Sequence, residues 1–117
     1  EDFRPFAPAV LEEHYKEYFD TRLPSPYMSR ICKVKTDKVP GITHVDNTAR
    51  IQTVSRKFNQ KFYDIINEFY KITGIPMLLN TSFNSQEPIV ETPENAIRTF
   101  KRTALDILVI NDRVMCK

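Results

Sequence analysis

The stretch NQKFYDIINEFYKITGIPMLLN, Asn59 to Asn80, holds a start, a helical period, a stop and an apolar strand in succession. Phe62, Ile65, Ile66, Phe69 and Ile72 follow the i, i+3, i+4, i+7 spacing that places residues on one face of a helix. Asn59 is suited to accept an N–H at the helix start, and Gly74 to take the left-handed conformation that ends it. Pro76 to Leu79 then reads as a short, fully apolar strand. Helix followed directly by buried strand predicts a sheet flanked by helices.

Working outward, the strand runs into Asn80-Thr81-Ser82-Phe83-Asn84 before apolar residues resume at Ile89 and Val90. Polar loops at the carboxyl ends of sheet strands are where open α/β sheets keep ligands. Short hydroxyl and carboxamide side chains donate and accept, and suit a ligand rich in oxygen atoms. The same residues also satisfy their own backbone in ordinary loops. Thr92 followed by Pro93 starts another helix, with Ala96, Ile97 and Phe100 on its inner side. Leu105–Ile110 and Val114–Cys116 around Asn111-Asp112 predict a closing hairpin.

Towards the amino terminus, Ala49–Val54 and Met28–Val34 read as strands. Val10, Leu11, His14, Tyr15, Tyr18 and Phe19 recur at helical spacing, predicting a helix over residues 9–19, ended by Leu23-Pro24-Ser25-Pro26. Cys32, alternating with Lys33 and Lys35 beside Val34, is expected inside as a small apolar residue. The fold class is therefore α/β or α+β, a twisted mixed sheet flanked by helices at about 9–19, 59–73 and 93–102.

The totals bound the function. The 117 residues suit one domain with a real core; 41% are hydrophobic and 27% charged, ordinary for a globular chain. Seventeen basic against fifteen acidic residues leave +2, a balance that does not argue for nucleic acid. No apolar run approaches the ~20 residues of a membrane span. Two cysteines outside any CxxC pair fit a reducing, cytoplasmic setting. With His14 and His44 as the only histidines, and no ligand-like spacing, no metal site built by this chain is expected. Glycine-rich phosphate loops are missing too, since the chain has two glycines. It opens on Glu1-Asp2-Phe3 without an initiator methionine, so it is expected to be a piece of a longer protein.

THVDNTARIQTV, Thr43 to Val54, offers a second polar constellation. Arg50 and Gln52 fall on one side of a strand, with His44 and Asp46 in the loop before it. Arginine can hold a phosphate bidentately where lysine cannot. Equally, Arg50 suits a surface cation and His44-Asp46 a turn pair.

FRPFAPAVLEE, THVDNTARIQTV and LNTSFNSQEPIVETPENAIRTFKRTALDILVI resemble, in order and spacing, the C-terminal region of the NodU/CmcH/TobZ O-carbamoyltransferase family. The resemblance covers Phe3 to Val114. It implies a YrdC-like sheet that binds ATP, with magnesium, and carbamoyl phosphate, and forms carbamoyl-adenylate. It also implies an N-terminal ASKHA-like domain, outside this chain and carrying its own metal, that moves the carbamoyl group to a hydroxyl of the acceptor in biosynthesis. Residue by residue, Arg4 and Arg50 would neutralise phosphate oxygens. Ser82 and Asn84, similar to the Ser-x-Asn element of YrdC-type proteins, would hold the α-phosphate or carbamoyl group. Asn80 would shape the loop, and His44 would orient the carbamoyl moiety.

Three departures stand out. Asn47 replaces a common glycine, and asparagine is the next-best residue for positive φ. Ser85-Gln86-Glu87-Pro88 lacks the family's Gly-Glu-Pro. No basic stretch precedes FRPFAP.

Two other functions remain open at the sequence level. One is a YrdC-type threonylcarbamoyl-adenylate synthase-like enzyme, whose relatives lack the first two motifs. The other is a non-catalytic RNA-binding module using Arg22, Arg30, Lys33, Lys35 and Lys38, cations that serve equally as a solvated face.

Overall fold

The computed structural model describes residues 7–81, 83 and 90–117. They form two compact units, one up to Thr81 and one from Ser82. The first unit is a mixed five-stranded sheet, so the α/β class read from the sequence holds. Its strands are β1 (Ala7–Leu11), β2 (Phe19–Asp20), β3 (Arg30–Val34), β4 (Thr48–Val54) and β5 (Met77–Asn80), in spatial order β2-β3-β4-β1-β5. β1 runs parallel to β4 and antiparallel to β5, while β3 pairs antiparallel with both β2 and β4.

The expected helix at 9–19 is not there. Ala7–Leu11 is a strand buried along its whole length, and the helical part shrinks to α1 (Tyr15–Tyr18). A short apolar run suits a buried strand as well as a helix face, and periodicity alone cannot separate them. Partners on both edges decide it. Pro8, which cannot donate to a ladder, sits before the β4 pairing begins at Ala9.

α2 (Gln60–Thr73) forms where its signals lie. The Asn59 side chain accepts from Phe62 N–H, and Gly74 closes the helix at φ 77° with its N–H on the Tyr70 carbonyl. Its inner face, however, is rotated from the expected one. Phe62, Tyr63, Ile66 and Tyr70 pack on Ala9, Leu11, Val54 and Leu78. Ile66 is fully buried, whereas Ile65 is 60% and Ile72 82% exposed. The helix is apolar on two adjacent faces, and the spacing rule selects the wider stripe rather than the one the sheet receives.

The opposite face of the sheet carries the larger core, where Val10, Cys32, Ala49, Ile51 and Met77 meet Tyr15, Phe19, Val39 and Ile42. Cys32 is buried as expected. Before β3 begins, fully buried Ser25 extends the pairing with β4: Thr53 N–H donates to its carbonyl at 3.0 Å, and its own N–H donates to Thr53 Oγ1 at 2.9 Å. Backbone groups at the end of a buried strand need such partners.

In the second unit α3 (Pro93–Arg102), capped by Thr92, packs Ala96 and Phe100 on Leu108 of the hairpin β6 (Ile107–Ile110) and β7 (Arg113–Cys116). Asn111 takes a positive φ in its turn. No helix among the described residues is long and apolar enough to cross a membrane.

Ile66→Ala should cost about 2–4 kcal/mol of unfolding free energy, the usual range for truncating a buried isoleucine, and Ile65→Ala less than about 1. Denaturant titration of the two variants checks the face assignment; equal losses would contradict it.

Candidate functional site

Strand alternation sorts β4 into two sides. Ala49, Ile51 and Thr53 are buried towards the larger core, and Thr48, Arg50 and Gln52 face the other way, on the side that receives α2. α2 takes the Leu11, Val54 and Leu78 end of that face. Beyond it, Gln52 is half-buried and Arg50 exposed, with no hydrogen bond or ion pair at Arg50 among the described residues. Ile31, 62% exposed, is its cross-strand neighbour on β3.

Asn80 ends β5 and belongs to the same face. Its Nδ2 donates to Gln52 Oε1 at 3.2 Å, although β1 lies between β4 and β5. Strands two apart are separated by about 9.5 Å, and both side chains reach inwards to close that gap. β1 permits it because its residues at this level are small: Ala9 is paired with Gln52, and Ala7 with Asn80. A larger side chain at either position would occupy the space where the two carboxamides meet.

The loop entering β4 holds the remaining polar group. Asn47 takes φ 64°, the positive value expected where a glycine commonly stands. Asp46 Oδ1 accepts from Thr48 Oγ1 at 2.6 Å and from Thr48 N–H at 3.2 Å, the turn pairing that aspartate makes with its own backbone. The Thr48 hydroxyl, then its backbone N–H and the nearby His44, hold the Asp46 carboxyl below the ordinary aspartate value, against a smaller opposing effect of desolvation. His44 Nδ1 is 3.3 Å from Thr48 Oγ1, and its Nε2 is buried without a partner among the described residues. His44 thus stands at the start of the strand that carries Arg50.

Of the residues singled out in the sequence, Arg50 and Asn80 share one sheet face through Gln52, and His44 adjoins it through Thr48. Arg4, Ser82 and Asn84 lie outside the described residues. Ala7, three residues after Arg4 in the chain, pairs with Asn80, two residues before Ser82. Alternation in the sequence puts Gln52 beside Arg50, but not its bond to Asn80 across the two alanines of β1. The small residues at i and i+2 in Ala7-Pro8-Ala9 were its one signal. No group of three His, Cys, Asp or Glu side chains is placed to hold a metal among the described residues.

The family described as "Carbamoyltransferase C-terminus" matches residues 1–117. Nodulation protein NolNO of Sinorhizobium fredii is 48% identical, over all of this chain and 18% of its own length. Nodulation protein NolO of Bradyrhizobium diazoefficiens is 50% identical over 94% of the chain and 21% of its own length. Protein MJ1051 of Methanocaldococcus jannaschii is 40% identical over 98% of the chain and 23% of its length. The chain spans about a fifth of the length of these relatives.

A carboxyl whose folded value is depressed stabilises the fold above its unfolded value, and that contribution is lost as pH falls through the folded one. The Asp46 carboxyl carbon, followed by NMR, should therefore titrate below 3.8, the ordinary aspartate value, and Thr48→Val should move the midpoint back up. An unchanged midpoint in the variant would contradict the Thr48 contact.

Proposed function

Because the chain belongs to the carbamoyltransferase C-terminus family, we propose that it is the part of a longer O-carbamoyltransferase that binds ATP and carbamoyl phosphate and, with one water consumed and phosphate and diphosphate released, forms carbamoyl-adenylate. The observation that carries the proposal is the sheet face shared by Arg50, Gln52 and Asn80, a cation and two carboxamides on the side that receives α2. Phosphoryl chemistry is mostly positioning and electrostatics, so the groups required are fixed cations and donors rather than a nucleophile. Arg50 meets phosphate oxygens, where a guanidinium gives two parallel hydrogen bonds and offsets charge that grows on the departing phosphate. Arg4 is proposed as a second cation, and Ser82 and Asn84 as holding the α-phosphate or carbamoyl group, with Asn80 shaping the loop they belong to. His44, at the entry to β4 beside Thr48, is proposed as a further binding residue on the other side of Arg50 from Gln52. Magnesium is taken to arrive on the triphosphate, since its usual partners there are phosphate oxygens and one or two carboxylates.

Transfer to the acceptor hydroxyl is assigned to the remainder of the longer protein, an N-terminal ASKHA-like domain with its own metal, and the setting to the cytoplasm. A labile adenylate has to be kept from water while the hydroxyl is held near the carbamoyl carbon. That needs a second substrate pocket.

In the full-length protein, Arg50→Ala should lower kcat/KM for ATP or carbamoyl phosphate roughly 10- to 100-fold, the loss expected for a hydrogen-bonded charge. An exposed residue should change unfolding free energy by less than about 0.5 kcal/mol. Undiminished use of both substrates would refute the assignment of this face. The 117-residue chain alone, mixed with ATP, carbamoyl phosphate, magnesium and hydroxylated acceptors, should give no carbamoylated product by mass.

A further inference from the structure

Resting on that function, we propose that Gln52 and Asn80 together recognise the carbamoyl group itself, and so set the preference for a carbamoyl donor over other acyl phosphates. Asn80 Nδ2 donates to Gln52 Oε1 at 3.2 Å. Each carboxamide has one carbonyl and one amino group. Pairing the two uses one of each, which leaves an amino group on Gln52 and a carbonyl on Asn80. Turning both amides over exchanges the roles and leaves the same set, one donor and one acceptor. A carbamoyl group, with an amino group and a carbonyl oxygen on one carbon, presents the complementary pair: its amino group donates and its carbonyl accepts.

The setting supports this assignment. Ala7 and Ala9, paired with Asn80 and Gln52, keep the strand between them free of bulk. Both carboxamides are half-buried, so a hydrogen bond made there is less exposed to competition from water. Arg50 lies two residues along the same strand face from Gln52, about 6.6 Å by strand geometry. That is the scale of carbamoyl phosphate, whose phosphate would meet Arg50 while its amide end meets the pair. An acetyl group has a methyl where the carbamoyl group has its amino group. It would bury an amide carbonyl with nothing to accept from, and sites built to bond a substrate N–H reject such analogues strongly.

The test uses the full-length protein and measures initial rates with carbamoyl phosphate and with acetyl phosphate, and KM for carbamoyl phosphate and for ATP separately. Gln52→Met and Asn80→Leu remove the pair, while Gln52→Glu removes the Gln52 amino group and keeps a similar shape. Melting temperature identifies any variant that fails to fold. The expected result is a KM for carbamoyl phosphate raised at least tenfold, a KM for ATP changed less than threefold, and a preference over acetyl phosphate reduced at least tenfold. A raised KM for ATP alone would assign the pair to the nucleotide and overturn the inference while leaving the face as the substrate site. Unchanged values for both substrates would also overturn it, and Arg50→Ala then decides whether the face is a substrate site at all.

Discussion

β1 is paired on both edges, and this single constraint places everything else in the first unit. A strand flanked on either side has its backbone groups in ladders and its side chains enclosed, so its five residues are all buried. Parallel pairing with β4 brings Ala9 beside Gln52, and antiparallel pairing with β5 brings Ala7 beside Asn80. Gln52 and Asn80, 28 positions apart in the chain, thereby meet on a diagonal across β1. The strand between them has to be small on this face for the two side chains to touch, and alanine supplies that on alternate positions.

Register on β4 is held by the same logic. Ala49, Ile51 and Thr53 fill the core side, and Thr53 is also tied to Ser25 by a reciprocal pair of hydrogen bonds. A slip of one residue would turn Arg50 and Gln52 into that core. Burying an unpaired guanidinium costs far more than any single contact in the sheet returns, so the slip is closed off. The polar row is thus fixed by the apolar one behind it. Asp46, bonded to Thr48 in the preceding turn, and Asn47 at positive φ shape the entry to the strand.

Much of this was legible in the sequence where a local signal has a single physical meaning. Asn59, Gly74, Thr92 and Pro93 mark helix ends because caps and stops have specific backbone requirements, and the structure uses each of them. Asn47 is another case, since few residues tolerate its conformation. The signals failed where two structures satisfy one pattern. Ala7–Leu11 and the residues after it suit both a helix face and a buried strand, and only the long-range pairing with β4 and β5 separates them. Ile65 and Ile66 lie on adjacent faces of α2, and the choice between them depends on how the helix lies on the sheet. On the site side, Arg50 and Gln52 were legible as neighbours from alternation alone. The link to Asn80 was not, because it crosses an intervening strand and rests on the absence of bulk at Ala7 and Ala9.

The most direct measurement is a crystal structure of the full-length protein with carbamoyl phosphate and a non-hydrolysable ATP analogue bound. Phosphate oxygens should lie at about 2.7–2.9 Å from the Arg50 guanidinium nitrogens, the charge-assisted range. The carbamoyl nitrogen and oxygen should lie at hydrogen-bond distance from the free carbonyl and amino groups of the Gln52–Asn80 pair. Ligands seated on the opposite face of the sheet, or away from β4 and β5, would contradict the site described here.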